Sequence, residues 1–136
     1  MEALEKVQRR FVGSIQGLHG SSYEEKLKEL NLDTLENRRT KLDLAQTYKI
    51  IYGVDNVDKS TWYKIAAERR PHNTRHGPVG LTLVQQHCRL EVRSNFFSQR
   101  TVRLWNELPL ATRHADSIAA FKRKLNNVDL LANSAL

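Results

Sequence analysis

The sequence SNFFSQRTVRLWNELP, from Ser94 to Pro109, interleaves aromatic residues with arginines and closes on a proline. Ser94 is a residue type that caps helices and proline ends them, so the segment predicts a helix between the two. Residues placed at 100° intervals give one arc that should face the core: Phe97, Thr101, Leu104, Trp105 and Leu108. The adjoining stripe holds Phe96, Arg100, Arg103 and Glu107. We therefore expect a helix with one packing face and one face open to contact.

The stripe beside the core face has two interpretations. An exposed aromatic ring next to guanidinium groups can stack on a base while the charges hold backbone phosphates. Alternatively, Arg103 pairs with Glu107 one helical turn later, which contributes about 0.3 to 0.5 kcal/mol. The sequence leaves both open.

The positive charge of the chain is concentrated in one segment. The formal net charge is +7, yet residues 1–68 hold eleven basic and eleven acidic residues. Residues 69–103 hold seven arginines and one acid, Glu91, which leaves +6 there. Clustered arginines build a local field that favours a polyanionic partner. A solvated charge patch is the alternative.

The remaining helical signals are local. Apolar residues spaced by three and four over Ala3 to Leu18 predict an amphipathic first helix, with Leu4, Val7, Phe11 and Ile15 on its apolar face. Ser22 followed by Glu25 has the capping-box pattern. A central core helix is expected from Thr34 to Gly53, a brief helix after Asp58, and a final helix from Ser117.

Two short segments predict a β-hairpin. GLTLV (80–84) and HCRLEV (87–92) each alternate apolar and polar residues, after a loop at 68–80 rich in proline and glycine. The fold class is therefore mainly α, a small helical domain of about five helices with one short β-hairpin. We expect residues 1–128 to form a single helical domain and residues 129–136 a frayed tail.

Several functional classes are disfavoured. Cys88 is the only cysteine, and its neighbour His87 would point to the opposite face of a strand, so a zinc site with His72 and His76 is not expected. No nucleophile motif or glycine-rich phosphate loop is present, and we expect no enzyme activity and no cofactor. No apolar run reaches the length of a membrane span, and no secretory signal is evident, so the expected location is the nucleus or the cytoplasm.

Four strings of the sequence carry a family resemblance. CRLEVRSNFFSQRTVRLWNELP is followed by SIAAFKRKL, and the first half contains LEKVQRRFVGSIQGLHGSSYEEKLKELNLDTLENRR and DLAQTYKIIYGVDNVD. The most specific pieces are Tyr23-Glu24-Glu25, Glu36 with Arg38 and Arg39, Gln46-Thr47-Tyr48-Lys49, Asn95 to Arg100, and Trp105-Asn106 before Leu108-Pro109. In this order they resemble the C-terminal, post-polymerase region of LINE-like (non-LTR) retrotransposon reverse transcriptases.

The resemblance covers almost the whole chain, but the segment from Thr74 to Val84 departs from it. No Asp-Asp pair occurs, and polymerase and endonuclease motifs are absent from this chain. The resemblance thus implies a noncatalytic helical module that, within a parent enzyme, helps to hold template RNA or target DNA.

Together these observations predict a sequence-tolerant interface for RNA or single-stranded DNA. The candidate contact residues are Arg69, Arg70, Arg75, Arg89, Arg93, Phe96, Arg100 and Arg103. The hypothesis requires guanidinium groups that lie along one side of the molecule without carboxylate partners. The alternative is a helical protein-interaction or structural module that binds an acidic partner, with possible self-association through the first helix. A membrane partner is not expected, because the arginines are not confined to one amphipathic helix.

Overall fold

The computed structural model describes residues 2–66, 81–128 and 130, and within these ranges the protein is mainly helical. The mainly α class predicted from the sequence is confirmed. The helices are α1 (Glu2–Gly13), α2 (Tyr23–Glu29), α3 (Leu35–Ile51), α4 (Lys59–Trp62), α5 (Glu91–Ser94), α6 (Phe97–Glu107), α7 (Leu110–Arg113) and α8 (Ile118–Asn126). The chain divides into two compact units, Met1–Thr40 and Lys41–Leu136.

The first unit is organised around the carboxylate of Glu5. One of its oxygens accepts a hydrogen bond from the hydroxyl group of Tyr23 on α2, with an O···O distance of 2.6 Å. The other accepts the backbone N–H of Leu35, the first residue of α3, at 2.9 Å. An amide at a helix N-terminus has no partner within its helix, so this carboxylate satisfies it and complements the helix dipole. A single side chain of α1 therefore ties α2 to the start of α3.

The helix starts predicted at Ser22, Asp58 and Ser117 are confirmed. Ser22 accepts from the backbone N–H of Glu25, and the Glu25 carboxylate accepts from the backbone N–H of Ser22, at 3.3 and 2.7 Å. The Asp58 and Ser117 side chains cap α4 and α8 by accepting from the backbone N–H groups of Ser60 and Ala120. Gly53 ends the turn after α3 with a φ of +66°, a left-handed conformation that favours glycine.

The core of the second unit is aromatic at its centre. Trp105 and Phe121 have no solvent exposure, and their ring centroids lie 5.8 Å apart. Phe121 in turn stacks on Tyr48 at 4.7 Å. The Tyr48 hydroxyl donates to the carbonyl of Ala115 at 2.6 Å, so its polar end is satisfied inside the core. Aromatic side chains of α3, α6 and α8 thereby pack together.

A buried hydroxyl cluster links three elements of this unit. The Tyr63 hydroxyl lies 3.0 Å from the Thr47 hydroxyl on α3 and 2.9 Å from the Thr101 hydroxyl on α6. Burial raises the pKa of Tyr63, and hydrogen bonds from Thr101 and Thr47 oppose that rise. Each hydroxyl finds a partner without a charged group in the cluster.

The predicted β-hairpin is wrong. In the described part of the chain there is no strand; Leu83 forms one isolated antiparallel bridge, and its partner is Ile65. Residues 84–88 have no regular structure, and the second predicted strand runs into α5. Alternation of apolar and polar residues over five or six positions is weak evidence for a β-strand, because it does not identify the strand with which the segment pairs.

The segment around Leu83 is held instead by side chains of α6. The Asn106 side chain accepts from the Leu83 N–H and donates to the Leu83 carbonyl, both at 2.9 Å. The indole N–H of Trp105 donates to the carbonyl of Leu81 at 2.7 Å. On the other side, backbone bonds of 2.8 Å join Ala66 to Thr82 and Val84 to Lys64. Asn106 therefore supplies the hydrogen bonds that a neighbouring strand supplies in a sheet.

The start of α6 also differs from the prediction. Ser94 does not cap it; Ser94 ends the short helix α5, and its hydroxyl donates to the carbonyl of Glu91 at 2.8 Å. Phe96 precedes the first turn of α6 and makes no side-chain cap bond. The end is as predicted, since α6 stops at Glu107, before Pro109.

The apolar arc of α6 is largely confirmed as core. Thr101, Trp105 and Leu108 are buried, and Phe97 and Leu104 are partly buried against the same cluster.

The single domain over residues 1–128 stays a prediction. Most of the predicted tail at 129–136 lies outside the described residues, and Leu130 is buried in the second unit's core. Among the described helices, none has the length and apolar character of a membrane span.

We predict that Asn106→Ala lowers the free energy of unfolding by about 1 to 3 kcal/mol, because it leaves the N–H and C=O of Leu83 without partners. Urea unfolding measures the change. Asn126→Ala, at an exposed position of α8, is the matched control and should stay within about 0.5 kcal/mol of the parent. Equal effects of the two substitutions would show that Asn106 does not hold the segment.

Candidate nucleic-acid interface

Three of the predicted contact residues, Arg89, Arg93 and Phe96, lie in or next to α5, and we call this set the α5 surface. All three residues are exposed, and Phe96 retains 49% of its accessible area. Its ring is parallel to that of Trp62, with an interplanar angle of 4° and a centroid separation of 6.5 Å. The Arg93 guanidinium carbon lies 5.9 Å from the Phe96 centroid. Trp62 thus supports the Phe96 ring from inside the fold.

Of the predicted contact arginines that the structure describes, Arg89 and Arg93 fit the requirement for open guanidinium groups. Neither forms a salt bridge within residues 2–66, 81–128 and 130. Glu91 lies between them in α5, so the local charge of the three residues is +1. Both guanidinium groups are open to solvent and to phosphate.

Arg100 does not stand open as the sequence hypothesis required. Its Nε and Nη2 donate to the two carboxylate oxygens of Asp43 on α3, at 3.0 and 3.1 Å, and Nη1 donates to the carbonyl of Asn95 at 3.0 Å. Its guanidinium carbon also lies 5.8 Å from the Phe97 centroid. The expectation of an unneutralised group is wrong here, because Asp43 is 57 positions away in sequence. Arg100 joins the start of α6 to α3.

Arg103 forms the ion pair with Glu107 that was the alternative to nucleic-acid contact. Its Nε donates to Glu107 Oε1 at 2.8 Å, so the i,i+4 ion pair is confirmed and the group is not unneutralised. This carboxylate lies just outside the arginine-rich segment, which is why the charge count for that segment missed it.

The remaining predicted contacts, Arg69, Arg70 and Arg75, lie outside the described residues. The structure therefore brings together Arg93 and Phe96, leaves Arg89 exposed just before α5, and assigns Arg100 and Arg103 to ion pairs.

An open cleft that the sequence did not indicate lies along α6. It has a volume of about 540 Å³ and is lined by Gln85, Ser94, Gln99, Arg100, Arg103, Asn106 and Glu107. Positions 99, 103 and 106 recur at helical spacing and lie on one face of α6. This spacing was the only feature of the sequence that could have indicated the cleft.

Another arginine, Arg113, is buried and is not part of this surface. It is 7% exposed, its Nη1 lies 3.5 Å from the Thr82 hydroxyl, and its Nε has no hydrogen-bond partner among the residues that the structure describes. Burial lowers the pKa of Arg113. It is too enclosed to meet a strand at the surface.

We predict that Arg100→Met and Asp43→Asn each lower the free energy of unfolding by about 1 to 2 kcal/mol, with a coupling energy of about 1 kcal/mol in a double-mutant cycle. The bidentate geometry and partial burial of the pair are the reason. The Lys6–Glu2 pair, at 3.4 Å and largely exposed, is the control. A cycle with Lys6→Met and Glu2→Gln should give at most about 0.5 kcal/mol. Coupling no larger than in the control would contradict a structural role for Arg100.

Comparison of the chain with protein-family models, with curated proteins and with solved structures gives no match. The resemblance to non-LTR retrotransposon reverse transcriptases accordingly stays a prediction.

Proposed function

We propose that this protein is a noncatalytic module that binds RNA or single-stranded DNA with little sequence preference, and that it derives from the C-terminal region of a non-LTR retrotransposon reverse transcriptase. The observation that supports it best is the α5 surface. There the exposed ring of Phe96 lies parallel to that of Trp62, and the Arg93 guanidinium carbon lies over the Phe96 ring at 5.9 Å from its centroid.

The chemistry of the α5 surface suits a single strand. A base can stack on Phe96 regardless of its identity, because every base has a π face. Arg93 and Arg89 then lie beside the backbone, where guanidinium groups form bidentate bonds with phosphate. In a duplex the bases are already stacked and paired, so the ring has no free base to contact.

The ion pairs of Arg100 and Arg103 reduce the number of arginines that we assign to phosphate contact. Arg100 and Arg103 already have carboxylate partners, so their role is to position α6 beside the strand. In the sequence, Arg69, Arg70 and Arg75 add three positive charges to the same segment. We therefore assign phosphate contact to Arg89, Arg93 and this group of three.

A salt titration against single-stranded RNA tests the proposal. If about four of these five arginines contact phosphate at once, the logarithm of affinity should fall with log salt at a slope of roughly −3, since each contact on a single strand contributes about 0.7. Arg89→Ala with Arg93→Ala should weaken binding and reduce the slope by about 1.4.

The control removes the same charge elsewhere. Lys122→Ala with Arg123→Ala, at exposed positions of α8, should leave the slope nearly unchanged. A flat salt response of the parent protein, or equal effects of the two double variants, would contradict the proposed function.

A second candidate is a protein-interaction or structural module. The observation that favours it is the apolar face of α1, where Leu4, Val7 and Phe11 are 61%, 66% and 66% exposed. Exposed apolar groups in one stripe usually find a partner. A second copy of the chain is one such partner, and an acidic protein that meets the arginines is another.

If α1 mediates self-association, light scattering should show a mass that rises with protein concentration, and Leu4→Gln with Phe11→Gln should abolish the rise. Lys6→Gln, at an exposed position off the apolar face, is the control and should retain it. A parent protein that stays monomeric at high concentration would contradict self-association.

A further inference from the structure

Arg113 is the one charged residue that is buried within the described part of the chain. It ends the short helix α7, and its backbone carbonyl accepts a hydrogen bond from the Tyr52 hydroxyl at 2.7 Å. Two residues later, the carbonyl of Ala115 accepts a hydrogen bond from the Tyr48 hydroxyl at 2.6 Å. These two tyrosine hydroxyls therefore hold the backbone that carries the Arg113 side chain.

The guanidinium group of Arg113 is only partly satisfied by the fold. Its Nη1 lies 3.5 Å from the Thr82 hydroxyl, which is at the long limit for a hydrogen bond. Its Nε is enclosed and has no partner among the residues that the structure describes. No carboxylate of those residues forms an ion pair with it, and Asp116, the acidic residue nearest in sequence, is exposed. A full positive charge is thus buried beside one weak neutral contact.

A buried cation is normally paired with an anion, because its removal from water is costly. The same cost lowers the pKa of Arg113, and burial is the main cause. Arg100 shows how this protein satisfies a guanidinium group, since its Nε and Nη2 donate to the two carboxylate oxygens of Asp43. Arg113 is more deeply buried than Arg100, yet its Nε makes no such bond within the described residues.

We infer that Arg113 is the binding site for a small oxyanion, a carboxylate or a phosphate, which contacts the Nε edge of the guanidinium group. The Nε and Nη2 groups of an arginine present two parallel N–H donors that match two oxygens of either anion. The contact with Thr82 is on Nη1 and leaves this edge available. Because Arg113 is only 7% exposed, the site suits a small ion and not a nucleic-acid strand. It is therefore separate from the α5 surface and does not depend on the proposed function.

The test follows the Nε–H signal of Arg113 by NMR in the full chain while an anion is added at constant ionic strength. Sodium phosphate and sodium acetate are the probes, and sodium chloride, whose anion has no pair of oxygens, is the reference. We expect a saturable shift of this signal with phosphate, with acetate or with both, and none with chloride. A response to phosphate alone identifies a phosphate group as the ligand, and a response to acetate alone identifies a carboxylate.

A matched pair of variants separates binding at Arg113 from general effects of charge. Arg113→Lys keeps the positive charge but loses the paired donors, so it should weaken binding of the same anion at least about tenfold. The measurement is the protection against thermal unfolding that the anion gives beyond that of chloride. Arg123→Lys, at an exposed position of α8, should leave this protection unchanged.

Three results would overturn the inference: a shift that does not saturate, a shift that chloride reproduces, or equal effects of the two variants. If Arg113→Lys does not fold, the titration of the parent protein decides alone. None of these results changes the expected salt-dependent binding at the α5 surface, so the failure of this inference is distinguishable from the failure of the proposed function.

Discussion

The structure of the second unit depends on hydrogen bonds from α6 side chains to the backbone of residues 81–83. This extended segment is not part of a β-sheet in the described structure. Asn106 pairs with both backbone groups of Leu83, and the Trp105 indole caps the carbonyl of Leu81. Because Trp105 is fully buried against Phe121, the same residue that centres the core also fixes the backbone of residues 81–83. The rotation of α6 about its axis is set by these contacts, and it determines which side chains face outward.

The same contacts determine which side chains of α6 lie away from the core. With Trp105 inward, Gln99, Arg103 and Asn106 fall along the cleft. The bidentate bond between Arg100 and Asp43 holds the first turn of α6 against α3, and the carbonyl of Asn95 accepts from the same guanidinium. Arg100 thereby stabilises the turn that presents Phe96. A residue expected to bind a ligand acts instead on the position of its neighbour.

Sequence reasoning succeeded where the signal was local. The caps at Ser22, Asp58 and Ser117 and the apolar arc of α6 each depend on residues close in sequence. The Arg103–Glu107 pair is also local, and it was one of the two interpretations of its stripe. It failed where the partner is distant. The bond from Asn106 to Leu83 spans 23 positions and the pair of Arg100 with Asp43 spans 57, and no periodicity in either segment encodes them. A charge count over residues 69–103 overestimated the open positive charge for the same reason.

The central claim is that α6 has one face fixed in the core and that the surface beside it contacts a nucleic-acid strand. Chemical-shift mapping by NMR, with single-stranded RNA titrated into the protein, tests it most directly. The account predicts that residues 89–96 shift together while the Trp105 indole resonance stays in place. Shifts centred on the lysines of α8, or a displaced Trp105 indole with an unperturbed Phe96, would contradict it.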